Sequence, residues 1–149
     1  MGLIDDLLLE RGDAASAVQG CTADEVARLE ERLGLTLPRL FRDYLRIMGR
    51  NPGNVATGSD FLYGCLHELT GELRVCASEN GVAIPDGVFA MLAHQGYDYL
   101  YVSTGSNQDD PPVYRFHIAF REAKEVFPSL SEYFRWFLRG GYVVPGYTD

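Results

Sequence analysis

Val88-Phe89-Ala90-Met91-Leu92-Ala93-His94-Gln95-Gly96-Tyr97-Asp98-Tyr99-Leu100-Tyr101-Val102-Ser103 is the stretch whose reading decides the fold. Val88 to His94 is a mainly apolar run, and Tyr97 to Ser103 alternates. The alternation places Tyr97, Tyr99 and Tyr101 on one face and Asp98, Leu100 and Val102 on the other, the period of a strand. Gln95-Gly96 between the two runs suits a tight hairpin connection. Val113 to Ile118 alternates again, after the acidic turn Asn107-Gln108-Asp109-Asp110-Pro111-Pro112. Three such runs predict an antiparallel meander.

Outward from this block the period changes to that of a helix. Leu3 to Glu10 carries Ile4, Leu7 and Leu8 on one face and stops at Gly12, before a loop of small residues at 13–17. Thr22-Ala23-Asp24-Glu25 fits a capping box, in which the Thr22 hydroxyl and Glu25 carboxylate each satisfy an orphaned N–H. Val26, Leu29 and Leu33 continue the stripe, and Gly34 closes it. Pro38 opens the next helix, where Phe41, Tyr44, Leu45 and Met48 follow the spacing of a buried face. A polar, Gly-rich loop at 51–60 precedes a further stripe of Leu69, Leu73, Cys76 and Ala77. Beyond the strands, Ser129-Leu130-Ser131-Glu132 predicts a second capping box, followed by Phe134, Phe137 and Leu138, with Gly140 as the stop. Helices precede and follow the strands without strand–helix–strand alternation. That order predicts an α+β fold, one domain over 1–149 with helices packed around an antiparallel sheet.

The composition narrows the partners. At 149 residues the chain has the size of one domain with a self-sufficient core. The formal net charge of -8 repels nucleic acid and anionic membranes and favours a basic partner. No apolar run approaches the ~20 residues of a membrane span, and Asp5 and Asp6 stand where an export signal needs basic residues. Cys21, Cys65 and Cys76 are odd in number and irregular in spacing, as expected of free thiols in a cytoplasmic protein.

Chemistry-bearing patterns are sparse. His67, His94 and His117 have no local signature joining them to Cys65 or Cys76 as a nucleophile pair. Cys65, His67, Cys76 and His94 include zinc-ligand types without the paired short spacings of a zinc site. The glycine turns at 56–59 and 103–106 lack the lysine of a phosphate loop, and Asp109-Asp110 lacks the further ligands of a calcium loop. Arg28, Arg39, Arg42, Arg46, Arg74 and Arg135 occur singly, which argues against a nucleic-acid groove. The expectation is a protein without catalytic residues, metal or cofactor.

Glu25 through Leu45, read as Glu-x-x-x-Leu-Glu-x-x-Leu-Gly-x-x-Leu-Pro-x-x-Phe-x-x-Tyr-Leu, resembles the N-terminal signature of the SUKH superfamily. His94-Gln95-Gly96-Tyr97, Asp109-Asp110-Pro111-Pro112-Val113-Tyr114 and Ser129 to Phe134 are similar to that family's hairpin, strand and final helix. The likeness runs from about Thr22 to Leu138, with Met48-Gly49-Arg50-Asn51-Pro52 in place of the usual Asn-Gly-Gly ending after the second family helix. The resemblance implies a small α+β protein-binding module without catalytic residues. Bacterial members are typically immunity proteins that block a toxin domain, often a nuclease; fungal members regulate cell-wall and glucan synthesis.

Two functions follow as expectations: an immunity-type inhibitor of a basic toxin domain, and a housekeeping regulatory or scaffold module. A small-molecule enzyme is the third, disfavoured by the missing acid–base set. The expected partner surface is the sheet with its acidic hairpin, through Tyr97, Tyr99, Tyr101, Asp109 and Asp110. If Leu100 and Val102 face the helices, the tyrosines face outward as anchors ringed by charge.

Overall fold

The computed structural model describes residues 2–11, 18–53, 59–105, 108–119 and 122–139. The expected small-residue loop at 13–17, most of the glycine turn at 56–59 and the Gly140 stop lie outside these residues. In chain order the elements are α1 (Leu3–Glu10), α2 (Ala23–Leu33), α3 (Arg39–Met48), β1 (Ser59–Asp60), α4 (Tyr63–Glu79), β2 (Val88–His94), β3 (Asp98–Ser103), β4 (Val113–His117), β5 (Lys124–Phe127) and α5 (Leu130–Leu138). The strands form one antiparallel sheet in the order β1-β2-β3-β4-β5. The arrangement is α+β, with the expected meander at its centre.

Local signals place these elements. The Thr22 hydroxyl accepts from the Glu25 N–H at 3.1 Å and the Glu25 carboxylate accepts from the Thr22 N–H at 2.9 Å, closing the capping box of α2. Gly34 ends that helix at φ 68°, in the left-handed region. In the β2–β3 hairpin Gln95 and Gly96 have φ 51° and 77°, the two successive positive values of a type I′ turn. At α5 the cap is half of what the sequence predicts. The Ser129 hydroxyl accepts from the Glu132 N–H at 3.2 Å, but the Glu132 carboxylate turns outward to Arg135 at 2.9 Å.

The apolar stripes meet in one core. Register puts Phe89, Val102 and Val113 side by side on one face of the sheet, and the Phe89 ring packs on Phe41 of α3 at 5.0 Å. Phe41 in turn contacts Tyr44 and Phe134, and Tyr44 packs on Phe137, so α3 and α5 share an aromatic layer over that face. Helix α4 packs along β2, and its Thr70 hydroxyl accepts from the Ala90 N–H at 3.0 Å, satisfying a strand donor. Gly20 lets the chain pass α3 closely, since a Cβ there would lie 1.9 Å from the Arg46 carbonyl oxygen.

Candidate binding surface

The residues expected to form one surface lie in different settings. Tyr99 and Tyr101 are 3% and 4% exposed, so the tyrosine side of β3 is not an open face. Alternation does separate them from Leu100 and Val102, yet those are also buried, at 1% and 0%. The period identifies which residues share a face; it does not reveal that both faces of a central strand are covered. Tyr101 stacks on Tyr114 at 5.7 Å, and Tyr99 lies within electrostatic reach of Cys76 and Glu72 on α4 and Asp60 on β1.

Burial pushes both phenols up to about 12, with nearby negative charge adding to it. Between the ordinary value of 10.0 and about 12, the unfolded chain releases these protons while the folded chain keeps them. Stability is therefore present below pH ~10 and falls as pH rises through that window. In an alkaline titration, phenolate absorbance from these two is expected to appear only as the fold is lost. Ionisation of all nine tyrosines near pH ~10 with secondary structure intact would contradict this burial.

Tyr97 is half-buried at the hairpin end of the sheet, its ring edge-on to His94 at 5.7 Å and His117 at 5.3 Å. Asp109 and Asp110 lie beyond the other end of β3, so a strand of six residues, roughly 20 Å at ~3.3 Å each, separates them from Tyr97. Both acids are exposed, but Asp110 has a structural task. Its carboxylate accepts from the Ser131 N–H at 2.6 Å and the Ser131 hydroxyl at 2.5 Å, serving the orphan donors of the first turn of α5. The Asp109 carbonyl accepts from the Leu40 N–H at 3.4 Å in the first turn of α3. The turn is thus held between two helix N-termini, and Asp109 alone of the pair keeps its carboxylate outside a described hydrogen bond.

Beside Asp109 stand two arginines that the sequence reading took as single basic residues. Arg39 and Arg42 line a hollow with Thr36, Thr104, Gln108 and Asp109, and also line a second hollow with Glu30, Asp43 and Arg46 between α2 and α3. The signal was available: 39, 42 and 46 follow helical spacing and share one face of α3. A second omission is internal. Arg115, fully buried, donates from Nε to Asp98 Oδ1 at 2.8 Å and from Nη2 to Asp98 Oδ2 at 2.7 Å. This bidentate pair spans β3 and β4 on the same face as Leu100 and Val102.

The candidate catalytic and metal-ligating residues do not converge. His94 Nδ1 meets the Ser59 hydroxyl at 3.0 Å, His117 Nδ1 accepts from the Ala119 N–H at 3.0 Å, and His67 lies 3.3 Å from Glu68. Cys65 and Cys76 donate instead to the carbonyls of Leu62 and Gly96. Burial raises all three thiols, which opposes the thiolate form a nucleophile needs. Among the described residues no group of three His, Cys, Asp or Glu gathers at metal-binding range, and no helix is long and apolar enough to cross a membrane.

The fold and surface together define a small α+β module, and among its described residues the candidate histidines and cysteines are not gathered at one place. The model of the SMI1 / KNR4 family (SUKH-1) matches residues 20–136, and the chain belongs to that family, within the SUKH superfamily. No curated protein matches the chain.

Proposed function

We propose that this protein is a non-catalytic immunity-type binder that occupies and neutralises a basic toxin domain. Family membership over residues 20–136 carries this reading. The net charge of -8 supports it, since an acidic surface accelerates encounter with a basic protein and disfavours acidic ones. Among the described residues Cys65 and Cys76 donate to main-chain carbonyls, which fits a protein that acts by binding, and three free thiols fit a cytoplasmic one.

Of the residues expected at the interface, Asp109 fits a partner contact best, with Tyr97 as an outlying candidate. Tyr99 and Tyr101 act through the sheet interior in this reading, and Asp110 through α5. The test is co-expression with a polymorphic toxin domain, taken from beside this gene where one is encoded there. Growth should be restored and the two proteins should co-purify, with Asp109→Lys slowing association at low salt. Persistent toxicity at full expression of folded protein would overturn the immunity reading, and a complex without protection would favour the regulatory one.

A further inference from the structure

Basic residues are not spread evenly along this acidic chain. Six of its 13 Lys and Arg residues fall between positions 28 and 50, accompanied there by only three of its 21 acids. On α3 the spacing of 39, 42 and 46 gathers three guanidinium groups onto the side turned towards α2, where they line a common hollow. Arg39 and Arg42 also reach the neighbouring hollow beside Thr36, Thr104 and Gln108, so these two join both concavities.

Most of the other described arginines are engaged, the exposed Arg32 excepted. Arg50 pairs with Glu25, Arg115 with Asp98, Arg135 with Glu132 and Arg139 with Glu10, while Arg74 donates to the carbonyls of Ile84 and Pro85. Arg46 spends its Nε on the Cys21 carbonyl at 3.1 Å. Arg39 and Arg42 have no such engagement among the described residues, although Asp43, Glu30 and Asp109 line the same hollows. The Nε of Arg42 is buried and without a hydrogen-bond partner there. A buried N–H donor is normally paired, so Arg42 is left short of a bond, and the outer ends of its guanidinium suit a planar, two-oxygen acceptor.

We propose that Arg39 and Arg42 form a receptor for a carboxylate side chain of the protein partner, an Asp or Glu inserted between α2 and the turn at Asp109. This rests on the protein-binding reading above and adds the reverse polarity to it: a mainly acidic body for approach, and a local cationic notch for register. The three carboxylates lining the hollows disfavour a polyanion or free phosphate, whereas one carboxylate matches a single guanidinium fork. Complementarity of both signs at one interface also rejects partners that are merely basic.

The first test needs no toxin. The Arg Nε–Hε signals are followed by NMR while the full chain is titrated with the peptide acetyl-Gly-Glu-Gly-Glu-Gly-amide, its Gln counterpart, and inorganic phosphate at matched ionic strength. The Arg42 and Arg39 signals should move saturably with the Glu peptide at millimolar concentration, and an Arg39→Gln/Arg42→Gln variant of unchanged melting temperature should abolish the response. An equal response to the Gln peptide, a response to phosphate alone, or no response would overturn the proposal. With the toxin domain, the same double variant should weaken binding at least about tenfold. Unchanged binding there would remove the notch while leaving the immunity reading intact; absence of binding by the parent protein would remove that reading instead.

Discussion

Replacing Asp98 by alanine is expected to cost about 3–5 kcal/mol of stability, because it removes the carboxylate that a buried guanidinium meets in two directions. Arg115 is 0% exposed and its side chain is fixed between β3 and β4, so it cannot swing out to water as a surface arginine would. The asymmetry matters. Removing one partner leaves the desolvation of the other in place, whereas removing both at similar volume takes the cost away together. Asp98→Leu combined with Arg115→Met is therefore expected to recover much of the loss. Chemical denaturation of Asp98→Leu, Arg115→Met and the double variant measures this cycle, with Asp98→Ala alongside. A loss below about 1 kcal/mol for Asp98→Ala would show that the pair is not buried as described.

Phe134→Ala is expected to cost a similar about 3–5 kcal/mol, through cavity formation instead of charge. Phe134 is fully buried and contacts Phe41 at 5.9 Å, Tyr44 at 4.9 Å and Tyr133 at 5.1 Å, so its removal opens the layer joining α3 to α5. The same layer holds a substitution of opposite sign. The Tyr44 hydroxyl is buried without a hydrogen-bond partner among the described residues, and burial raises its ionisation well above the ordinary range. Tyr44→Phe keeps the ring contacts and deletes that hydroxyl, so it should leave stability unchanged or raise it by up to about 1 kcal/mol. Thermal or denaturant melts of both variants test the layer. Loss on Tyr44→Phe comparable to that on Phe134→Ala would mean the hydroxyl has a partner and the packing is different.

The fold was legible where two signals coincided. Thr22 and Glu25 mark a helix start before a stripe of Val26 and Leu29, and the structure has both the box and the burial. Gln95-Gly96 sits between two apolar runs and makes the hairpin. Elements with one weak signal were missed. Strand β1 is only Ser59–Asp60, too short for any period to register, and β5 begins with Lys124-Glu125, which carry no apolar alternation. At Ser129 the sequence pattern of a capping box was complete, but Arg135 stands one turn after Glu132 and takes its carboxylate.

The surface was harder to read for a physical reason. Alternation along β3 orders side chains into two faces, but coverage of a face depends on α4, β1 and the Tyr114 ring, which are distant in sequence. Tyr99 and Tyr101 therefore look identical to exposed anchors until the tertiary packing is known. Asp110 illustrates the converse, an exposed acid already committed to Ser131 of the following helix. The arginines of α3 were visible as residues and overlooked as a group, because a net charge of -8 averages away a local positive face.

On the function proposed above, this family member acts by occupying its partner and leaves that partner chemically unaltered. Titrating it into a fixed amount of a toxin domain that it binds, while measuring residual toxin activity, tests that reading directly. The account predicts a linear fall to an endpoint at a stoichiometric ratio, with fully active toxin of unchanged mass recovered once the complex is separated in denaturant and the toxin refolded. Neutralisation of many equivalents of toxin by one of this protein, or recovered toxin of altered mass, would contradict it.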